Sequence, residues 1–136
     1  KMQQTILAVL KIDFNLGQFL QAENLPANLK PMKQILEDGE GTGNILGFFL
    51  FQNFVSTCGV RGSSSLEGSL LMTNNLYANF NVGNDVLQHL TDESAEQVYN
   101  RFLGERARGQ NLSLRNELES RAIVRLACLA RVFDTN

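Results

Sequence analysis

The sequence has no tryptophan, two prolines, two cysteines and one histidine among its 136 residues. The low proline content excludes collagen-like and Pro-rich proteins. The 43% share of hydrophobic residues excludes intrinsic disorder, because a chain this apolar can offset the entropy of folding. One histidine and two cysteines do not make a zinc site, so we expect no metal and no cofactor. The length predicts a single domain over residues 1–136, and the start on Lys1 within an apolar pattern is expected for a piece of a larger protein.

Cysteine usage predicts a reducing, cytoplasmic environment. Cys58 and Cys128 lie one in each half of the chain, without a C-x-x-C motif, so we expect two buried, unpaired thiols. Residues 1–11 are too short for a secretory signal, and Asp13 follows before any cleavage site. The most apolar stretch, residues 45–55, is too short to cross a bilayer, so we expect no membrane span.

Apolar residues recur at three- and four-residue spacings along most of the chain, which predicts helices. The sequence indicates about seven helical segments, over residues 2–22, 29–38, 44–57, 64–72, 74–90, 95–108 and 113–133, of which 74–90 is expected to divide into helices over 74–80 and 82–90 hinged near Gly83. Apolar side chains point in every direction around 44–57 and around most of 113–133, which is typical of surrounded helices. We therefore predict an irregular all-α bundle packed around these two helices, with Phe48, Phe51 and Phe54 largely buried.

A second pattern competes with the first helix. Residues 10–16 alternate between apolar and polar side chains, which is the period of a strand. We favour helix, because the apolar spacing continues to Leu20, and we expect a break near Asp13 that caps a second short helix.

Two groups of residues are candidates for a small-ligand site. Arg61, Ser63 and Ser64 combine a guanidinium with hydroxyls at a predicted helix start, an arrangement that binds phosphate or carboxylate. The alternative is a capped loop, since Glu67 already supplies an anion to this terminus. Cys58 and His89 would form a nucleophile and base if the fold brought them together. A third candidate, the glycine-rich loop at 39–44, lacks the Lys-Ser/Thr pair of a phosphate-binding loop and is flanked by acids, so it is expected to be a linker.

Charge is unevenly distributed. Residues 1–100 contain five basic side chains against ten acidic ones, whereas residues 101–136 contain seven arginines against four acids. Arg115, Arg121 and Arg125 of the last predicted helix are candidates for binding a partner. The alternative, which we favour for Arg121 and Arg125, is that they pair with acidic side chains of the first hundred residues inside the same domain.

The sequence therefore favours a non-enzymatic, cytoplasmic helical domain that binds a protein partner in a scaffolding or regulatory role. The alternative is a small-ligand or phosphate-binding domain, or a phosphoester or thiol-dependent enzyme, with its site near Arg61, Ser64, Cys58 and His89. The net charge of −2 argues against nucleic acid as a partner, and self-association is left open.

Overall fold

A computed structural model describes residues 2–39, 44–60, 72–109, 111–112 and 117–130. Within these ranges the chain forms seven α-helices and one short 3-10 helix, without a strand. They are α1 (Met2–Val9), α2 (Leu16–Leu20), α3 (Pro26–Asp38), α4 (Ile45–Gly59), α5 (Asn74–Leu87), the 3-10 helix (Gln88–Thr91), α6 (Ala95–Gly109) and α7 (Glu117–Leu129). The predicted irregular all-α bundle is confirmed. The helix expected over 64–72 lies outside the described residues.

Short polar side chains mark where helices begin. The Asn15 side chain accepts the N–H of Gln18 at 3.0 Å and starts α2. The expected break in the first helix is therefore present, but Asn15 makes the cap where Asp13 was predicted to. Ser94 and Gln97 each accept the other's backbone N–H, which is the reciprocal capping box that begins α6.

Two helix boundaries in the structure differ from the predicted ones, and backbone chemistry explains both differences. Helix α3 begins at Pro26, three residues before the predicted start at Leu29, because proline fits a first helical position that needs no N–H partner. The helices expected over 74–80 and 82–90 are joined through Gly83, so that α5 continues into the 3-10 helix. Gly83 serves close packing here, since a Cβ at this position would lie 2.4 Å from Cδ2 of Leu20.

Helix α6 lies at the centre of the bundle and contacts α3, α5 and α7. Its buried residues are Ala95, Val98, Tyr99, Phe102, Leu103, Arg106 and Ala107. The Phe102 ring packs on the Phe19 ring of α2 at a centroid distance of 4.2 Å, and both side chains are fully buried. Phe14 then links Phe19 to Phe49 of α4 at 5.6 and 6.3 Å.

The expectation that α4 and α7 are the buried, central helices was wrong. In α4, Phe51 is 63% exposed and Phe48 is also exposed, whereas Phe54 is half-buried against Phe80. Helix α4 packs chiefly on α1, so one face of it is covered. Helix α7 packs chiefly on α6 and leaves Leu126 exposed. An apolar circumference did not by itself indicate how many neighbours surround a helix.

Helix α2 ends in a tight turn formed by Gln21, Ala22 and Glu23. The N–H of Glu23 bonds the carbonyl of Gln18, and the N–H of Ala22 bonds that of Phe19, which is a Schellman motif. Ala22 takes the left-handed position with φ of 56°, where glycine is usual. Its methyl group is fully buried, which explains why a residue with a Cβ occupies the turn.

Candidate functional site

A cleft of about 470 Å³ opens between α2, the end of α4, the start of α5, the end of α6 and α7. Its volume lies within the range of about 300–1,000 Å³ that small-molecule sites occupy. The lining residues are Gly17, Leu20, Gln21, Thr57, Thr73, Asn75, Leu76, Asn79, Arg106 and Cys128. Arg106 is the one charged side chain in this set, so the described lining of the cleft is cationic.

Arg106 is a buried arginine with incomplete hydrogen bonding. Its relative exposure is 9%. Its Nη1 donates to the side-chain oxygen of Asn79 on α5, while its buried Nε has no hydrogen-bond partner among the described residues. No ion pair to Arg106 is found within the described parts of the chain. Burial of a charge costs free energy unless the charge is paired and hydrogen-bonded. This guanidinium can therefore still donate a hydrogen bond to an acceptor that also neutralises its charge.

The first turn of α5 lines the same cleft as Arg106. Thr73 caps this helix by accepting the N–H of Leu76 at 3.2 Å. Thr73, Leu76 and Asn79 are three residues apart and line the cleft from one face of α5. The N-terminal end of a helix carries roughly half a positive charge, which favours an anion in the cleft as Arg106 does.

The remaining lining is largely apolar or already satisfied. Leu20 and Cys128 are buried, and Leu76 is half-buried. The Thr57 hydroxyl donates to the carbonyl of Asn53 at 2.8 Å, one turn back in α4. The α2 side adds the side chain of Gln21, whose Nε2 donates to the carbonyl of Gly17 at 3.4 Å, beside the apolar surface of Leu20. The buried side-chain atom of the described lining that has no partner is therefore Nε of Arg106.

Of the arginines predicted on the last helix, two contact the same chain. Arg125 Nε donates to the carbonyl of Ala22 at 3.0 Å, and its Nη2 donates to that of Glu23 at 3.3 Å. Arg121 Nη2 lies 3.5 Å from a carboxylate oxygen of Glu96 on α6. These contacts agree with the internal interpretation, and partner binding through them stays a prediction. Arg115 lies outside the described residues.

Tyr99 lies beneath this arginine pair in the interior. It is buried, and its hydroxyl has no hydrogen-bond partner among the described residues. Burial raises the pKa of Tyr99 above the ordinary value of 10.0, against a smaller lowering by the positive charge of Arg125. The tyrosine is therefore neutral at physiological pH and adds no charge to the interior between α6 and α7.

Of the other sequence candidates, Cys58 and His89 are not among the described residues that line the cleft. Arg61, Ser63 and Ser64 lie outside the described residues. Cys58 is half-buried at the end of α4, and neither it nor Cys128 forms a disulfide. His89 lies in a separate shallow depression with Arg101 and Glu105, and Cys58 is not among the residues that line it.

Charged side chains at the surface surround His89 in this depression. His89 Nδ1 is 3.8 Å from a carboxylate oxygen of Glu93, and Arg101 hydrogen-bonds the same carboxylate. The hydrogen bond from Arg101 is the main cause that lowers the pKa of the Glu93 carboxyl, helped by the charges of Arg101 and His89. This exposed cluster has the features of a solvated helix surface.

Sequence reasoning missed Arg106 and Asn79, although one signal for Arg106 was present. Tyr99, Phe102 and Arg106 follow one another at spacings of three and four, so the arginine continues an apolar stripe. Cations are common near helix C-termini, so a basic residue at this position does not by itself indicate a site. Asn79 carried no signal, since its role depends on how α5 packs on α6.

No group of three His, Cys, Asp or Glu residues that could hold a metal ion is found among the described residues. None of the described helices is both long and apolar enough to cross a membrane.

Comparison with known proteins adds a family but no named relative. No curated protein matches the chain, and no solved structure matches it. A family model matches residues 1–136, which is the full length of the sequence. The protein therefore belongs to the family of unknown function DUF6829.

Proposed function

We propose that this protein is a non-enzymatic binding domain that holds a small anionic molecule in the cleft between α2, α5, α6 and α7. The observation that carries the proposal is the buried guanidinium of Arg106, whose Nε has no partner among the described residues. An anion in the cleft would pair the charge of Arg106, and rotation of the guanidinium would bring its buried Nε–H to the same anion. Charge-assisted hydrogen bonds are the strong ones, and their strength grows where water is excluded.

Two further features support an anion over a neutral ligand. The start of α5 adds the positive end of a helix dipole to the same cleft. The lining residues include no Asp or Glu, so no described carboxylate in the cleft competes for Arg106. Together these features supply attraction for negative charge without an internal counter-ion.

The non-enzymatic part of the proposal rests on the chemistry of the lining. It contains one thiol, that of Cys128, and no imidazole or carboxylate that could act as its base. We place the protein in a reducing, cytoplasmic compartment, and the two unpaired cysteines support that location.

NMR titration tests the proposal without knowing the natural ligand. Benzoate and benzamide have nearly the same shape and differ in charge. We expect benzoate to shift the backbone amide signals of Gly17, Asn75 and Asn79 and the Nε–H signal of Arg106, and benzamide to shift them much less. Arg106→Gln should weaken benzoate binding about tenfold or more, because the charge-assisted hydrogen bond is lost.

Two variants keep this test independent of folding defects. Arg108→Gln removes an exposed cation from the same helix and should leave benzoate binding unchanged. Leu76→Phe fills the cleft while retaining Arg106, and should reduce binding even if Arg106→Gln does not fold. Equal shifts with benzoate and benzamide, or shifts that Leu76→Phe leaves intact, would refute an anion site in this cleft.

A second function, protein binding in a scaffolding or regulatory role, is favoured by the exposed face of α4. Phe51 and Val55 are one turn apart and exposed, and Leu7 on the adjoining α1 is exposed as well. Exposed apolar patches of this kind often mark protein interfaces. The partner is another protein or a second copy of this chain.

This second function has its own test. Phe51→Glu adds a charge to the exposed face, where it costs little stability. Sedimentation should show loss of self-association if the face joins two copies. If neither self-association nor specific capture of a protein differs between Phe51→Glu and the parent chain, the face has no binding role.

A further inference from the structure

We propose that the ligand of the cleft is an amphipathic monocarboxylate, a single carboxylate group carried on an aliphatic chain. This inference rests on the proposed anion site and goes beyond it by naming the charge, the shape of the head group and the character of the remainder. It combines three properties of the same residues: the number of positive charges, the free edge of the guanidinium and the distribution of apolar lining.

The charge available in the cleft matches one negative charge. The described lining contains one guanidinium, and the α5 N-terminus adds roughly half a charge. Together they neutralise a monoanion fully and a phosphate dianion only in part. In a buried site an uncompensated charge is expensive, so a dianion gains less from entering than a carboxylate does.

The hydrogen bonds of Arg106 also favour a planar head group. Asn79 engages Nη1, so the edge of the guanidinium that contains Nε is left for another acceptor. The two oxygens of a carboxylate match the parallel N–H groups of such an edge. Asn79 is then a positioning residue, because its bond holds the guanidinium plane that the carboxylate meets.

The rest of the cleft suits an aliphatic chain. Leu20 and Cys128 present buried apolar surface on the α2 and α7 sides, and Leu76 extends that surface at the start of α5. Gly17 lines the cleft with backbone atoms, so no side chain occupies the space beside it. Burial of each methylene group contributes favourably to binding, whereas a compact polar acid would leave this surface in contact with water.

Calorimetric titration with three ten-carbon compounds tests the inference. Decanoate, decanol and decyl phosphate share one tail and differ in the charge of the head group. We expect decanoate to bind at least about tenfold more tightly than decanol and more tightly than decyl phosphate at neutral pH. Acetate, which lacks the tail, should bind more weakly than decanoate.

The outcomes separate this inference from the proposed function. If decyl phosphate binds most tightly and requires Arg106, the cleft is an anion site but the monocarboxylate inference is wrong. If acetate or inorganic phosphate binds as tightly as decanoate, the tail is irrelevant and the inference is again wrong. If decanol binds as tightly as decanoate, or no compound binds, both the inference and the anion site are refuted.

Variants at two positions test the geometry. Arg106→Lys keeps the charge but not the planar edge, so decanoate binding should fall about tenfold while the preference over decanol is partly kept. Asn79→Ala should weaken decanoate binding and shift the Nε–H signal of Arg106, whereas Arg108→Gln should change neither. Decanoate affinity that is unchanged in both Arg106→Lys and Asn79→Ala would overturn the assignment of the carboxylate to this guanidinium.

Discussion

Three arginines of α6 show how position decides the role of one residue type. The side chain of Arg101 is 43% exposed and pairs with Glu93, and that of Arg108 is 74% exposed and pairs with Glu105. Arg106 lies between them in sequence but faces α5, where its bond is to the amide of Asn79. Exposed pairs contribute about 0–1 kcal/mol, whereas a buried cation imposes a much larger demand on its surroundings. Of these three arginines of α6, the one without a carboxylate partner among the described residues is thus the one with most scope for a ligand.

Two phenylalanines test the position of the core. Phe102 is fully buried against Phe19, and Phe51 is largely exposed on α4. We expect Phe102→Ala to lower the free energy of unfolding by about 3–5 kcal/mol, because it leaves a cavity at the centre of the bundle. Phe51→Ala should change it by about 1 kcal/mol or less. Urea denaturation measures both, and similar losses in the two variants would contradict the central placement of α6.

At the scale of helices, α7 is joined to the N-terminal part of the chain by an arginine side chain that donates hydrogen bonds to backbone carbonyls. Arg125 donates hydrogen bonds to the carbonyls of Ala22 and Glu23. These carbonyls can accept them because they lie in the turn that ends α2. No acidic side chain is needed, although charge counting suggested one. The contact couples the turn at Ala22 to the position of α7, which forms one side of the cleft through Cys128.

Removal of this contact should be measurable. Arg125→Ala should destabilise the protein by about 1.5–3 kcal/mol, because hydrogen bonds from a charged group are lost and two carbonyls lose their donor. Arg108→Ala removes an exposed arginine and should stay within about 0.5 kcal/mol. A urea midpoint for Arg125→Ala equal to that of the parent would show that the contact adds no stability.

Two helical glycines give a matched pair for testing how α2 and α5 pack. A Cβ at Gly83 would lie 2.4 Å from Leu20 Cδ2, whereas a Cβ at Gly104 in α6 would meet nothing within 4 Å. Gly104→Ala should stabilise the protein by about 0.5–1 kcal/mol through helix propensity. Gly83→Ala gains the same propensity but forces the buried Leu20 to move, at a cost of about 1–3 kcal/mol. Thermal unfolding should therefore rank the two variants on opposite sides of the parent, and a stabilising Gly83→Ala would contradict the close contact.

At the scale of the whole molecule, two contacts join the arginine-rich last helix to the first hundred residues, and one of them is an ion pair. The arginine-rich last part of the sequence meets the acid-rich first part through Arg121 and Glu96 and through Arg125 and the α2 turn. The buried hydrophobic residues form one cluster that spans α1 to α7. Chain segments about a hundred residues apart are thereby joined without a disulfide.

The cysteines provide a test at this scale. Cys58 and Cys128 are both free, so a reductant has no disulfide to break. We expect the melting temperature to be the same with and without dithiothreitol. A loss of several degrees in the presence of the reductant would show that a disulfide constrains the unfolded chain, and would contradict the proposed cytoplasmic location.

The sequence by itself determined the helical class and many helix ends. Apolar spacing and local caps such as Ser94 with Gln97 act over three or four residues, so they can be identified without the fold. The break in the first helix was identified in the same way, although the residue that caps it was not. These features depend on contacts between neighbours in the sequence.

Only the tertiary structure decided which helix is central and where the cleft lies. Helix α4 is the most apolar helix but is covered chiefly by α1, while the more polar α6 is surrounded because three helices pack on it. The same packing buries Arg106, brings Asn79 to it and leaves Nε without a described partner. Burial and pairing depend on long-range contacts, and residues 27 positions apart in sequence carry no local signal that they will meet.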